Sequence, residues 1–480
     1  MAGFDAVPLG YEEPGYEVSK HAYVTLAIIA VNVIVYLFTT ASNMFLNIDP
    51  YWVNVAGFIP ALALADPAGS WYRFFTSMFL HAGILHIFFN MYFLYIFGRA
   101  VEKTIGSLRY LVLYIVGGLF ASIFHTLFTI LQGPAALSIP AIGASGAISA
   151  VLGAYFVLYP GTRLTACFWL PFPFCFTLSA AAFLLLWFAF QIIWGYARLG
   201  ASVAVFAHAG GFIAGIALLP LLVSRARMAM LRARELFRRL FEYYNIVYRP
   251  SYIYGGEFAS FKPTGVRGFA RYLYLSLLLL VLVGGVYSYM AVYGSNLWLH
   301  CAHLHVVERY SVSFYTPRSI SGDVVLATGS RGVYPEVFQL MPSDLTVFFN
   351  RLYYSGLLYN PRYAGRIVTL TSTVLHAGIP VCGRVYTVDV YVDRFKGVYN
   401  PSGLLVEGSG LIRSVVIQVY YPFCTVRINP SFTVSYDFRF RVYSEASLVG
   451  SLAPYFMLVI AACAGSLYAI LRRPDLTITP

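Results

Sequence analysis

The sequence predicts a polytopic α-helical membrane protein: a six-span bundle, followed by a β-rich external domain that is bracketed by two further transmembrane helices. The first observation is composition, since 59% of the 480 residues are hydrophobic and 11% are charged, whereas about 25% of a soluble globular chain is charged. The second is the complete absence of Asp, Glu, Lys and Arg from Phe74 to Gly98, Tyr110 to Thr162, Leu164 to Ala197 and Leu199 to Ser224. The third is a change of period in the last third of the chain, where β-branched and aromatic runs follow one another.

Apolar length and helix breakers divide the chain into spans, because one bilayer crossing needs about 20 mostly apolar residues. Six spans are predicted at 21–42, 80–98, 110–131, 141–159, 174–196 and 203–223, and two more at 272–293 and 452–471. The predicted organisation is a cytoplasmic N-terminal segment at 1–20, the six-span core at 21–223, a basic cytoplasmic amphipathic segment at 224–271, span 7 at 272–293, the external β-rich domain at 294–450, span 8 at 451–472 and a cytoplasmic tail at 473–480.

Lysine and arginine orient these spans, because cytoplasmic loops carry an excess of positive charge. The basic clusters that set the orientation are Arg99 with Lys103 and Arg109, then Arg163, the arginines from Arg225 to Arg239, and Arg472 with Arg473. They predict a cell-membrane protein whose two termini are cytoplasmic and whose residues 294–450 are external. The net charge of +12 is then a topology signal, and no nucleic-acid partner is expected. The segment after span 6 is interpreted either as an amphipathic helix on the inner membrane face or as a plain connector.

The external region contains runs typical of strands, at 385–392, 415–421, 424–428 and 432–438, bounded by proline and asparagine turn signals. Cysteines 301, 382 and 424 lie in this region, so one disulfide is compatible with an external location and one cysteine is left over. Cys167, Cys175 and Cys463 lie in or beside apolar runs, where buried thiols are expected. The cluster of His300, Cys301, His303 and His305 has no recognised metal-ligand spacing, and no metal is predicted.

Polar side chains are few within the spans, and each is costly in a bilayer. Ser145 lies about four residues into span 4, His208 about five into span 6, and His86 and Asn90 about six and ten into span 2, at about 1.5 Å per residue. All these spans run inward from outside, so the four side chains share one shallow layer. A serine, two histidines and an asparagine at one depth supply the nucleophile, base and oxyanion donors of acyl transfer.

Around these residues the chain resembles the rhomboid family of intramembrane serine proteases, over about residues 20 to 223. The stretch WYRFFTSMFLHAGILHIFFN carries the family's Trp-Arg element and its His-x-x-x-Asn motif, GRAVEKTIGSLRY its Glu-x-x-x-Gly element, GASGA its Gly-x-Ser-Gly motif, and AHAGGFIAG its Ala-His-x-x-Gly motif. The order and the span locations of these motifs make the resemblance specific.

The resemblance implies a role for each matched residue. Ser145 is the nucleophile, and His208 is its base and later proton donor in a dyad without an acidic third member. The Ser145 backbone N–H, His86 and Asn90 form the oxyanion hole, and Phe89 lies at the lateral substrate entrance. Supporting positions are His81, Gly143, Gly146, Gly211, Glu102 and Arg73. Arg73 is assigned either to loop shaping or to interface anchoring. Where many members have an aromatic residue that stacks on the base, this chain has Ser149, so another aromatic is expected there. His125 matches no motif and is interpreted as structural.

The predicted function is therefore that of a serine endopeptidase which cleaves transmembrane segments of membrane-protein substrates near the external face. No cofactor is expected, and the predicted partners are membrane-protein substrates and the lipid bilayer. The alternative is a non-catalytic rhomboid-like membrane chaperone or binding protein that acts through its external β-rich domain.

Overall fold

The structure, a computed structural model, describes residues 7–11, 22–168, 174–197, 204–233, 266, 268–310, 317–329, 332–334, 343–381, 383–420 and 425–478. In this part of the chain seven helices are long and apolar enough to cross a membrane, at Tyr23–Asn43, Ile84–Ile105, Ser107–Gln132, Ala180–Ala197, Val205–Leu222, Gly268–Tyr293 and Leu448–Arg472. The chain is thus a polytopic helical integral membrane protein.

The helices, numbered along the chain, are α1 (Tyr23–Thr40), α2 (Pro50–Ala56), α3 (Pro60–Ala65), α4 (Pro67–Ser70), α5 (Arg73–Thr76), α6 (Ile84–Phe93), α7 (Arg99–Ile105), α8 (Ser107–Thr129), α9 (Ser145–Leu158), α10 (Ala180–Ala197), α11 (Val205–Leu222), α12 (Gly268–Tyr293), α13 (Ser343–Tyr354) and α14 (Leu448–Arg472). A π-helical turn at Leu94–Gly98 joins α6 to α7, so these two form one crossing.

The fourth span is shorter than the sequence predicted. Helix α9 has 14 residues and begins at Ser145 rather than at 141. Its residues from Gly146 to Leu158 are all buried, because α8 and α11 pack against it. At about 1.5 Å per residue, α9 is about 21 Å long, less than the about 30 Å of a hydrocarbon core. Ser145 is therefore the first residue of its helix and does not lie one turn inside it.

A small sheet lies after α9 and corrects the predicted start of span 5. Strands β1 (Val7–Tyr11), β2 (Arg163–Phe168) and β3 (Phe174–Ser179) form an antiparallel sheet in the order β1-β2-β3. Residues 174–179, predicted as helical, are thus a strand, and α10 begins at Ala180. Cys175 is disulfide-bonded rather than a free thiol, and the backbone register of the hairpin sets Cys167 opposite it. A hairpin with hydrogen-bonded edges satisfies backbone groups that an unpaired segment would leave open.

The β-rich region is a single antiparallel sheet with strand order β6-β5-β4-β10-β9-β8-β7. Its strands are β4 (Trp298–Tyr310), β5 (Arg318–Gly329), β6 (Gly332–Tyr334), β7 (Ile367–Val381), β8 (Arg384–Tyr399), β9 (Leu405–Tyr420) and β10 (Thr425–Ser447). We call residues 298–447 the sheet domain. Alternating side chains bury one face, where α13 packs through Leu345, Phe348, Phe349 and Leu352. Cys301 is a buried free thiol, while Cys382 and Cys424 lie outside the described residues.

The sheet domain joins the bundle at both of its ends. Helix α12 leads into β4 and β10 leads into α14, where Leu448 N–H donates to the Leu297 carbonyl at 2.9 Å. The six residues of α3 are all buried, and α3 packs on β4 and β10. The hydroxyl of Ser444 donates to the Ala65 carbonyl. The loop between the first two spans thus forms the surface on which the sheet domain packs.

The opposite end of the bundle holds the C-terminal tail. Ile478 N–H donates to the Leu158 carbonyl at 2.8 Å, and the Arg473 guanidinium pairs with Asp475 at 2.8 Å. Residues 225–233 of the basic segment are helical, with Met228 and Leu231 buried. Residues 234–265 and 267 of the predicted basic segment lie outside the described residues, and its last four residues, 268–271, belong to α12.

Candidate active site

Ser145 begins helix α9 after a tight backbone turn. Gly143 has φ +124°, a conformation that residues with a Cβ rarely adopt. The turn is held by Phe58 and Ala141, which pair as an isolated antiparallel bridge, and by the Gly143 N–H, which donates to the Ser77 carbonyl at 2.9 Å. Because Ser145 is the first residue of the helix, its backbone N–H has no acceptor within that helix, and the positive end of the helix dipole lies beside it.

His208 approaches Ser145 from helix α11. Its Nε2 atom lies 2.7 Å from Ser145 Oγ, which is hydrogen-bond distance for a nucleophile and its base. The close approach of α11 to α9 depends on Gly211, since a Cβ there would overlap the Gly146 carbonyl. On the side that faces α8, a Cβ on Gly146 would come within 2.6 Å of Ala121 Cβ. Small residues at these crossings let helices pack backbone to backbone.

Two residues of α10 contact the other side of His208. Gln191 Oε1 lies 2.9 Å from His208 Nδ1. The centroids of the Trp187 ring and the His208 imidazole are 6.1 Å apart, and the two ring planes are inclined by 33°. Ser149 makes no ring contact and its hydroxyl donates to the Ser145 carbonyl at 2.7 Å. Trp187 thus supplies the aromatic contact that the sequence left unassigned. Gln191 was missed, although it is the one amide side chain between 174 and 196, and an amide in a span is a signal in its own right.

His86 faces the same turn from helix α6. A Cβ on Gly143 would lie 2.8 Å from His86 Nε2 and 3.7 Å from Ser145 Oγ, so the glycine leaves room for the imidazole beside the serine. The Ala82 N–H donates to His86 Nδ1 at 3.2 Å, and an accepting Nδ1 leaves the proton of a neutral ring on Nε2. The His81 ring stands edge-on to His86, with 5.0 Å between centroids. Asn90 follows one turn later, and its amide donates to the His86 carbonyl at 2.8 Å.

Space for small molecules adjoins these groups. A cavity of about 40 Å³ is lined by Gly143, Ser145 and His125, and one of about 140 Å³ is lined by His86, His125 and Thr129. A water molecule needs about 10–15 Å³ of such volume and some polar partners, so both cavities admit water. The Thr129 hydroxyl donates to the His125 carbonyl at 2.6 Å. His125, interpreted from sequence as structural, lies between the two cavities.

The supporting residues fix the backbone segments around the site. Glu102 is fully buried and accepts from the Thr25 N–H at 2.7 Å and from the Ser107 hydroxyl at 2.7 Å. The Glu102 carboxylate also accepts from the Val24 N–H at 3.0 Å and thus caps the start of α1. Gly106 has φ +91° between α7 and α8. Arg73 Nη1 donates to the carbonyls of Asn54 and Gly57 at 2.7 and 3.0 Å, which favours loop shaping among the two predicted roles.

The remaining candidates contact residues other than Ser145. Phe89 is half-buried on α6 and stands edge-on to Phe88, 5.4 Å away. In the sheet domain, His300 contacts Thr328 at 2.8 Å, His303 contacts Asp323 at 3.1 Å, and His305 contacts Ser321 at 2.6 Å. These histidines face different partners, and no group of three metal-ligand side chains occurs in the described parts of the chain.

Comparison with known proteins bears on the same region. Residues 68–225 match the family model described as the Rhomboid domain. Rhomboid protease GluP of Bacillus subtilis (strain 168) is 41% identical over 86 residues, which are 18% of this chain and 15% of that protein. RHOMBOID-like protein 6, mitochondrial, of Arabidopsis thaliana is 32% identical over 154 residues, 31% of this chain and 42% of that protein. Inactive rhomboid protein 1 of Danio rerio is 30% identical over 187 residues, 38% of this chain and 19% of that protein.

The match covers less than half the length of each of these relatives. It contains the turn that precedes Ser145, helix α9, helix α11 and His208, which together form the geometry described above. Residues 68–225 of this chain therefore match the Rhomboid domain, and the chain is similar there to rhomboid proteins.

Proposed function

We propose that the protein is an intramembrane serine endopeptidase that cleaves transmembrane segments of membrane-protein substrates near the external face of the membrane. The observation that carries the proposal is the 2.7 Å separation of Ser145 Oγ and His208 Nε2 at half-buried positions on two apolar helices. A serine in a membrane helix normally bonds to its own backbone. A serine paired with a histidine from another helix is the arrangement of an activated nucleophile.

The reaction follows from the placement of the protons. His208 Nε2 accepts the Ser145 proton while Oγ bonds to the substrate carbonyl carbon, and the carbonyl electron pair moves to oxygen. His208 then donates that proton to the leaving amine as the C–N bond breaks, which leaves an acyl ester on Ser145. Water, activated by the same base, hydrolyses the ester and restores both residues.

The negative oxygen of the tetrahedral intermediate needs donors that are already oriented. The Ser145 backbone N–H is available because it begins α9. His86 is placed to donate from Nε2, because its Nδ1 accepts from the Ala82 N–H. Asn90 completes the set in this proposal by turning its amide from the His86 carbonyl toward the substrate oxygen.

Gln191 acts in this proposal as a positioning residue. With its Oε1 as the acceptor at 2.9 Å, His208 Nδ1 carries a hydrogen and Nε2 is free to accept the proton of Ser145. The amide does for the imidazole what a carboxylate does in a catalytic triad, except that it adds no charge to the apolar surroundings. Gln191 and Trp187 both belong to α10, so this helix sets the orientation of the base.

The substrate enters from lipid, past Phe89, and unwinds locally to expose a carbonyl, because a helical backbone shields its peptide groups. Both termini of the enzyme are cytoplasmic and the sheet domain is external in this proposal. Two contacts put the sheet domain and Ser145 at the same end of the bundle: α3 packs on the sheet domain, and the bridge from Phe58 to Ala141 links that loop to the turn before Ser145. Attachment of a membrane-impermeant thiol reagent to a cysteine introduced at the exposed Ile367 in intact cells tests the orientation.

The direct test of the function is cleavage of a single-span reporter in proteoliposomes. Wild type is expected to cleave, whereas Ser145→Ala and His208→Ala are expected to be inactive, and a serine-directed fluorophosphonate is expected to label Ser145 in the wild type. Ser149→Ala is the matched control, since it removes a neighbouring hydroxyl that bonds to the backbone. Equal cleavage by wild type and Ser145→Ala would refute the proposal.

The alternative, a non-catalytic membrane chaperone or binding protein, is favoured by one observation: the similarity to Inactive rhomboid protein 1. In that case, the sheet domain would be the working part of the molecule. Wild type would then fail to cleave any reporter and Ser145 would remain unlabelled, while deletion of residues 298–447 would abolish co-purification of a membrane partner.

A further inference from the structure

The sheet domain contains a buried arginine whose guanidinium has few hydrogen-bond partners among the described residues. Arg351 lies on α13 and is 4% exposed. Its Nη2 donates to the Val415 carbonyl at 3.3 Å. The Nε and Nη1 atoms are buried and, among the described residues, have no hydrogen-bond partner. The guanidinium has five N–H groups and stays charged in proteins, so most of its donors have no acceptor in the part of the chain that the structure describes.

A cavity of about 240 Å³ lies against this guanidinium. Its walls are mostly apolar and come from α13, β9 and β10, namely Val347, Val415, Val416, Ile417, Val434 and Tyr436. Glu308 and Arg318 also line it, and they stand opposite each other in the register of β4 and β5. The charges of Glu308 and Arg318 offset one another. The charge of Arg351 therefore gives the cavity lining a net charge of plus one.

An unpaired buried charge is expensive to keep. The penalty for burying one ion is several kcal/mol even after relaxation, and the surroundings lower the pKa of Arg351 through desolvation. An aliphatic residue would pack among Phe348, Phe349 and Leu352 without that penalty. The arrangement becomes favourable when an anion enters the cavity, because a charge-assisted bond to a guanidinium is about twice as strong as a neutral one.

We propose that this cavity binds a carboxylate with a short aliphatic body. The carboxylate accepts from the Arg351 guanidinium, whose planar fork matches two carboxylate oxygens, and the aliphatic part packs on the valine and isoleucine walls. At the roughly 10–15 Å³ of such volume that one water-sized group needs, the cavity of about 240 Å³ has room for about 16 to 24 non-hydrogen atoms. Free short-chain carboxylates and the C-terminal residue of a peptide share this chemistry.

The test uses the full-length protein in detergent and isothermal titration calorimetry. Hexanoate represents the free carboxylate and N-acetyl-leucine the peptide C-terminus, with hexanamide and N-acetyl-leucinamide as neutral counterparts. Each carboxylate that binds is expected to bind at least tenfold more tightly than its amide, and the tighter of the two carboxylates identifies the source. No binding by either carboxylate, or equal binding by carboxylate and amide, overturns the proposal.

Substitution then locates the site. Arg351→Met keeps the length and removes the charge, so we expect it to abolish carboxylate binding and to raise the Tm of the ligand-free protein. Arg351→Lys keeps the charge and loses the fork, and is expected to weaken binding. Arg413→Met is the matched control, because Arg413 is 44% exposed and already paired with Asp393 at 2.9 Å. Binding that persists unchanged in Arg351→Met, or that is lost equally in Arg413→Met, contradicts the assignment.

Discussion

The role assigned to Gln191 makes a sharp prediction. Gln191→Leu keeps the approximate size of the side chain and removes the acceptor that lies 2.9 Å from His208 Nδ1. Without that acceptor the imidazole is no longer held in the form that leaves Nε2 free to accept a proton, and the imidazolium formed during the reaction has an unsatisfied N–H. The substitution should therefore slow the chemical step and leave substrate binding unchanged.

The magnitude follows from the single bond that is lost. A hydrogen bond of this kind contributes about 0.5–1.5 kcal/mol, and leaving a donor unsatisfied away from water costs about 1–3 kcal/mol. At about 1.4 kcal/mol for each factor of ten, kcat is expected to fall by about 10- to 100-fold. KM should stay within about twofold, because the bond is made by the base and not by the substrate.

The assay combines reporter cleavage in proteoliposomes with the rate of fluorophosphonate labelling of Ser145, which measures nucleophile activation without a peptide substrate. Gln191→Glu retains an acceptor oxygen for His208 Nδ1, so it should recover most of the activity at neutral pH. Asn32→Leu is the matched control: Asn32 is a fully buried amide in α1 whose Nδ2 donates to the Ile28 carbonyl at 2.8 Å. That control should leave the labelling rate unchanged.

Two outcomes would refute the reasoning. If Gln191→Leu kept its kcat and labelling rate within about twofold of wild type, the contact would not orient the base. If Gln191→Glu lost as much activity as Gln191→Leu, the acceptor oxygen would not be what matters. A rise in KM with kcat and labelling unchanged would instead indicate a role of α10 in substrate binding.

Three further predictions concern the crossing of α9 and α11, the Glu102 cap and the His86 donor. Gly211→Ala should abolish cleavage and Ser145 labelling, because the added Cβ overlaps the Gly146 carbonyl and forces α11 away from α9; the control Gly285→Ala meets its nearest atom at 3.6 Å and should retain both. Glu102→Gln should lower the Tm in detergent, since the buried charge-assisted bonds to α1 are worth about 1.5–3 kcal/mol each; an unchanged Tm would contradict the cap. His86→Ala should lower kcat by about 100- to 1000-fold, as removal of one oxyanion donor does, with KM nearly constant; a change in KM alone would count against that role.

Much of this molecule was predictable because the bilayer restricts what a sequence can do. Apolar length gave most of the spans, since a lipid-exposed backbone must satisfy its own hydrogen bonds. The cost of polar groups in lipid singled out Ser145, His208 and His86, which the structure brings together. The prediction was wrong at residues 174–179, where an apolar run forms strand β3, because apolar content alone does not distinguish a short strand from a helix.

Other features depended on packing between distant segments. Gln191 and Trp187 become partners of His208 only when α10 lies beside α11, and no local pattern states which face of α10 that will be. Likewise, Arg351 is one arginine among many until α13 covers the sheet, where two of its nitrogen atoms have no acceptor among the residues that the structure describes.

The sequence by itself determined the membrane character, the candidate nucleophile and base, and the presence of a β-rich unit between the last two spans. Each of these follows from residue type, spacing along the chain and the energy of transfer into lipid. Only the tertiary structure decided that Ser145 begins its helix, that Gln191 contacts His208 and that α3 packs against the sheet domain. Those contacts join residues far apart in the chain, and their geometry is set by how whole helices and sheets pack.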